Sequence, residues 1–159
     1  MIDEAPGPLG KGTEGDPRLV VEAWLAVPGP SGWRALMLKR SPESGGFWQG
    51  VSGRVEAFDA SLRAAALREI REETGLATGI ELFDLGRWIA FRGFTGTHYR
   101  KRSLGAILPH GTRAQDVVLS EEHVDVVLTT FDDARALIRW PENADELTSL
   151  ESRVRARTR

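Results

Sequence analysis

The chain has 159 residues, enough for one domain with a buried core, and its 41% hydrophobic and 28% charged content is that of an ordinary globular protein. Lys and Arg number 21 and Asp and Glu 23, a balance of −2 that excludes a general nucleic-acid binder with its basic surface. The absence of cysteine excludes a disulfide framework and a thiol nucleophile, and no apolar run approaches the length of a membrane span.

Residues 1 to 17 hold Pro6, Pro8 and Pro17 and several glycines without apolar periodicity, and read as a flexible lead-in. The acidic opening is not a signal peptide, so a cytoplasmic location is expected. Residues 18 to 159 read as a single domain. Arg18 to Val27 reads as a strand, Pro28 to Gly32 as a turn, and Trp33 to Lys39 as the returning strand of a hairpin. Arg40 to Gly46 is a loop, leading into Phe47 to Glu56. Beyond the central helix, Ile80 to Phe91 suggests one or two strands with a break near Asp84 to Gly86. Arg92 to Arg102 reads as a basic loop whose four positive charges could steer an anionic ligand. Ser103 to Pro109 and Val124 to Thr129 read as strands. A helix follows from Phe131 to about Ile138, then another toward the C-terminus ending in a fraying basic tail. His98, His110 and His123 are scattered without zinc-ligand spacing and read as structural or surface residues.

The stretch from Gly53 to Leu76 carries the chemistry. Leu62, Ala66, Leu67 and Ile70 form one apolar stripe of a helix that Gly75 is placed to stop. Glu69, Glu72 and Glu73 stand at i, i+3 and i+4, an arrangement that costs a few tenths of a kcal/mol in an isolated helix. Arg68 and Arg71 could offset it as ordinary helix decoration. Alternatively, carboxylates on adjacent turns suit Mg²⁺ or Mn²⁺, hard cations that take oxygen ligands and share them with substrate phosphates.

The order of these residues resembles the signature of the Nudix hydrolases: Gly, five residues, Glu, seven residues, then Arg-Glu-aliphatic-any-Glu-Glu-any-Gly-aliphatic. Arg68, Glu69, Ile70, Glu72, Glu73, Gly75 and Leu76 match its second half, and Gly53 matches its opening. Two departures stand out: Asp59 replaces the first Glu, and one extra residue lies between Gly53 and Arg68. The resemblance implies an α/β fold, the Nudix α/β/α sandwich with a mixed β-sheet. It further implies a metal-dependent hydrolase in which Glu69, Glu72 and Glu73 bind Mg²⁺ or Mn²⁺, Gly53 offers backbone to the metal site, and Arg68 orients the glutamates. An acid outside the signature completes the site: Glu122 is the match, with Glu121 beside it. Glu69 or Glu122 would be the general base.

The substrate class implied is a nucleoside triphosphate or the similar dihydroneopterin triphosphate, cut to the monophosphate and pyrophosphate. A dinucleoside polyphosphate or a non-catalytic nucleotide-binding role are the alternatives. Arg40 and Ser52 would contact the substrate, and Trp48 or Tyr99 would stack on its ring. The partner is a small molecule rather than a nucleic-acid polymer or a membrane, and a homodimer would be usual for the family.

Overall fold

The computed structural model describes residues 1–157. Its centre is a seven-stranded mixed sheet. Strand β1 (Arg18–Gly29) turns at Pro30 and Ser31 into β2 (Gly32–Arg40), the expected hairpin, with Leu25 opposite Leu36. Two short strands follow, β3 (Trp48–Gln49) against β2 and β4 (Val51–Arg54) against β1. The long strands β5 (Glu81–Arg92) and β6 (His98–Ile107) form a second hairpin, and β6 runs parallel to β1. β7 (His123–Thr129) pairs antiparallel with β2.

The expected break at Asp84 to Gly86 is a bulge within one continuous strand, β5, where the register shifts between Asp84 and Arg87. The basic stretch Arg92 to Arg102 is not a loop: only residues 93 to 97 turn, and Tyr99 to Arg102 are in β6. Strand alternation therefore separates the four charges. Arg102 pairs with Asp84 through two hydrogen bonds of 3.0 and 2.7 Å, and Arg100 lies 3.9 Å above the Trp88 ring. The expected steering role is thus not shared by all four.

Helix α1 (Leu62–Thr74) covers one face of the sheet, and α2 (Phe131–Leu137) and α3 (Pro141–Arg157) cover the other. This is the sandwich the sequence led us to expect. α1 is built from strong helix formers; Ser61 Oγ accepts the Ala64 N–H at 3.0 Å at its start, and Gly75, at φ 76°, donates to Arg71 O at 2.9 Å at its end. Odd residues of β1 (Leu19, Val21, Ala23, Leu25, Val27) pack toward α1 with Leu62, Ala66 and Ile70. Even ones turn the other way, and Trp24 and Ala26 meet Leu147, Leu150 and Val154 of α3. Each fully buried leucine contributes about 2 kcal/mol to holding its helix on the sheet. Val154 is part of that core, so the expected fray of the basic end does not extend to the described residues, which are helical to Arg157; residues 158 and 159 lie outside them.

The first 17 residues differ from the flexible lead-in expected. Ile2 is buried in the α1-side core, its carbonyl accepts the Arg63 N–H at 2.9 Å, and Asp3 pairs with the Arg63 guanidinium. Leu9 O then accepts from Leu19 N at 2.7 Å, and Gly12 O from His98 N at 2.8 Å. Ile2 and Leu9 on the core, the Asp3–Arg63 pair and these backbone bonds anchor a segment whose composition reads as a linker.

Candidate active site

The three glutamates of α1 are not equivalent, because the helix gives each a different environment. Glu73 stands three residues after Ile70, so it continues the apolar stripe and is buried at 2% exposure. Both its carboxylate oxygens lack a hydrogen-bond partner among the described residues. Burial, together with the neighbouring Glu69 and Glu122 carboxylates, pushes its pKa up to about 10. Glu69 is half-buried, and burial likewise raises its carboxyl against the pull of Arg68. Glu72 has a largely exposed side chain.

Arg68 ties the group together. Its Nη1 donates to Glu69 Oε1 at 2.9 Å and to Glu72 Oε2 at 3.3 Å, while Nη2 donates to the Arg54 carbonyl at 3.0 Å. The other edge grips Asp59 in bidentate fashion, Nε to Oδ1 at 3.0 Å and Nη2 to Oδ2 at 2.8 Å. Asp59 also accepts the Glu56 N–H at 2.8 Å, and these bonds, that from Arg68 foremost, hold its carboxyl below the usual range. Asp59 has a shorter side chain than the glutamate of the signature, and the loop with its extra residue still delivers it to the guanidinium. Both departures occur in one loop that keeps the arginine clamp intact.

Gly53 is opposite Val21 in the β4–β1 pairing and faces α1. A Cβ there would stand 2.1 Å from the Glu69 carboxyl carbon. Gly53→Ala must therefore swing that carboxylate away, a movement the flexible side chain can make without unfolding the protein. We expect an unchanged melting temperature and turnover lower by about 10²-fold, the scale of a 1 Å misplacement at a reacting centre; wild-type turnover would show that the Glu69 position is not critical.

Strands β2, β3 and β7 end beside Glu73. Arg40 lies opposite His123 in the β2–β7 register, where a bulge follows Lys39. His123 is buried, its Nε2 3.5 Å from Glu73 Oε1 and 3.3 Å from Gln49 Nε2. Burial, reinforced by Arg40, drives the imidazole down to about 4, so it is neutral beside the carboxylate. Ligand atoms of Glu73, Glu122 and His123 lie within 4.8 Å of one another. Of the two places expected for His123, structural or surface, it takes the buried one, against Glu73; no zinc-type spacing marks it, since it meets Glu73 only through the sheet.

Glu69, Glu72, Glu122, Gly53, Arg40, Ser52 and Tyr99 all line one cleft of about 940 Å³, whereas Glu121 is not in its wall. Trp48 is not there either: its ring packs against the α3-side core with Trp24 and Met37. Phe47, the residue before β3, is on the cleft instead, together with Trp140, the two rings edge to face at 4.7 Å. Phe94, 74% exposed at the tip of the β5–β6 turn, closes the same aromatic group. In the same cleft Phe91 stacks on Tyr99 at 5.2 Å. The cleft thus has a carboxylate end and aromatic walls joined by arginines.

These residues fit a hard divalent cation. A buried carboxyl group with two unpartnered oxygens is costly unless something positive meets it, and Glu69, Glu72 and Glu122 add the oxygen donors that Mg²⁺ and Mn²⁺ prefer, beside the one imidazole nitrogen of His123. Among known families, the NUDIX domain matches residues 19–150. The chain belongs to the Nudix family. It is accordingly a hydrolase of phosphoric anhydrides, of a family that generally uses divalent metals.

The fold is shared with the E. coli dihydroneopterin triphosphate pyrophosphohydrolase, which is 25% identical, with 81% of this chain and 91% of that one superimposed at a TM-score of 0.67. It is shared too with a C. elegans Ap4A hydrolase, 19% identical over 87% of this chain and 98% of that one, TM-score 0.74. An octanoyltransferase from Myxococcus xanthus is 50% identical over 58 residues, which are 36% of this chain and 15% of that protein. The Nudix chain thus matches only a small part of that relative's length. No helix among the described residues is long and apolar enough to cross a membrane.

Proposed function

We propose that this Nudix protein is a divalent-metal-dependent pyrophosphohydrolase that cuts a nucleoside triphosphate, or the similar dihydroneopterin triphosphate, to the monophosphate and pyrophosphate. The observation that carries the reading is the unpartnered, buried carboxylate of Glu73, within 4.8 Å of Glu122, which with Glu69 and Glu72 lines a cleft whose other walls are aromatic and cationic. A triphosphate on an aromatic ring has the complementary shape and charge. The E. coli protein of the same fold is named for such a substrate.

Glu73, Glu69, Glu72 and Glu122 would hold Mg²⁺ or Mn²⁺, which when bound neutralises phosphate oxygens and acidifies a water. The residues of the chain do the rest. Arg68, fixed by Asp59, keeps Glu69 and Glu72 turned toward the cleft. Arg40, whose Nε donates to Ser44 O at 2.9 Å, retains its Nη groups to meet phosphate oxygens. Two carboxylates are placed to take the proton of the attacking water, Glu69 and Glu122. The Glu122 carboxylate accepts no hydrogen bond among the described residues, whereas Glu69 shares an oxygen with Arg68. Water attack breaks the α–β anhydride and releases the monophosphate and pyrophosphate. Phe47 and Trp140 replace Trp48 as ring-stacking partners, alongside Tyr99.

The deciding experiment measures pyrophosphate and phosphate release with Mg²⁺, with Mn²⁺ and with chelator. Substrates are the common nucleoside triphosphates, dihydroneopterin triphosphate, a dinucleoside tetraphosphate and ADP-ribose. Metal-dependent pyrophosphate release from a triphosphate is the expected result. Release from the dinucleoside tetraphosphate or ADP-ribose alone would replace the proposed substrate class.

A further inference from the structure

The cleft floor holds an ion network that phosphate chemistry does not use. Glu22 of β1 lies opposite Ser103 and diagonal to Lys101 of β6, on the sheet face that carries α3. Lys101 Nζ donates to Glu22 Oε1 at 2.5 Å and to Glu146 Oε1 at 3.1 Å. Glu146, wholly buried on α3, has its other oxygen taken by the Trp24 indole N–H at 2.9 Å and the Ser103 hydroxyl. Both its oxygens are engaged, and it does not reach the cleft.

Glu22 and Lys101 do line the cleft, although only 4% and 6% exposed. The ammonium has three N–H groups, and two carboxylates take two of them; the third has no acceptor among the described residues. Two carboxylates face one ammonium, so the cluster has more capacity to accept hydrogen bonds than to donate them. As a device for stability this is a poor choice, since an apolar trio of the same volume commonly does as well or better. Its value must lie in what it presents to the cleft.

The geometry points to Glu22 and Lys101 as the pair that reads the ring of the substrate, selecting the 2-amino-4-oxo edge that guanine and the pterins share. That edge offers one carbonyl oxygen to the free N–H of Lys101, followed by a ring N–H and an amino group, two donors for the carboxylate of Glu22. Adenine offers one amino group beside a ring acceptor, cytosine one amino group beside two acceptors, and uracil one N–H between two. None has the donor excess that the cluster asks for. Ile89 and Phe91 of β5 border the same floor and supply an apolar wall for the ring. The inference rests on the cleft being a nucleotide site.

The test compares kcat/KM of the intact protein for GTP, ITP, ATP, CTP, UTP and dihydroneopterin triphosphate. In parallel, calorimetric binding of GMP, AMP and neopterin requires no turnover. GTP or dihydroneopterin triphosphate should exceed ATP by at least about tenfold, with ITP, which lacks the amino group, between them. Whether GTP or the pterin leads decides between the two rings. Glu22→Gln, which keeps the shape of the side chain, should narrow that ratio at an unchanged melting temperature. Equal kcat/KM across the bases, a preference for ATP, or an undiminished ratio in Glu22→Gln would overturn the assignment while leaving the pyrophosphohydrolase reading standing. If no triphosphate is hydrolysed, the binding arm decides alone. GMP or neopterin at least about tenfold tighter than AMP, and lost in Glu22→Gln, keeps the pair; equal binding ends it.

Discussion

Glu73→Gln is expected to lower kcat by about 10³-fold or more while leaving the fold intact. The substitution is unusually clean because of where the side chain sits. In the metal-free protein Glu73 is buried, unpartnered and held neutral by burial and by its carboxylate neighbours. Glutamine is also neutral and nearly isosteric, so it imitates the protonated state already present and leaves no new cavity. What it cannot do is surrender a proton and offer a negative oxygen to a cation. A bound metal contributes several kcal/mol of charge stabilisation at a phosphoryl centre, and about 4 kcal/mol corresponds to a factor of about 10³. Steady-state kinetics with saturating Mg²⁺, beside calorimetric metal binding, would check it. Near-normal turnover at high Mg²⁺ would remove Glu73 from the ligand set and shift the metal toward Glu69, Glu72 and Glu122.

The second large effect is the pH dependence of the metal-free fold. Glu73 keeps its proton up to about pH 10 when folded, against an ordinary value of 4.5. The folded state therefore binds the extra proton across that interval, and stability that is complete below pH 4.5 is lost as the pH rises toward 10. His123 acts in the opposite sense: it is pushed down to about 4 from 6.5, so its contribution is complete above pH 6.5 and is lost as the pH falls through 4. Between 4.5 and 6.5 the two slopes oppose each other. Of these two groups only Glu73 acts above 6.5, with a slope of about 1.4 kcal/mol per pH unit.

The melting temperature in chelator should thus be nearly level from about pH 5 to 6.5 and fall steadily toward about pH 9, and in Glu73→Gln that alkaline fall should vanish. Metal reverses it, since a cation must displace the same proton, and apparent affinity should rise by up to about tenfold per pH unit over this range. A wild-type melting temperature that holds level in chelator from pH 6.5 to 9 would show Glu73 to be already ionised in the metal-free fold.

The sequence by itself determined the family and the local chemistry, because both are written at short range. The order Arg68, Glu69, Glu72, Glu73, Gly75 places a guanidinium and three carboxylates on two turns of one helix, and helical periodicity guarantees that they meet. The same periodicity held the difference among the three acids, since Glu73 is on the stripe with Ile70. The β1–β2 hairpin was legible for the same reason, as its two strands and turn are contiguous.

What the tertiary structure decided is every contact that crosses the sheet. His123 reaches Glu73, 50 residues away in sequence, through the pairing of β7 with β2; the sequence marked its neighbour Glu122 but gave no sign of the imidazole itself. The fold set Phe47 on the cleft and turned Trp48 against the α3-side core, a choice that composition cannot make because successive residues of an extended chain face opposite ways. Asp59, a departure from the signature, proved to be the partner of Arg68 only when its loop was folded. The Glu22–Lys101–Glu146 network joins three segments that each read as unremarkable in isolation. A parallel strand pairing and a helix packed over it bring them together, and only burial turns them from surface charges into a site.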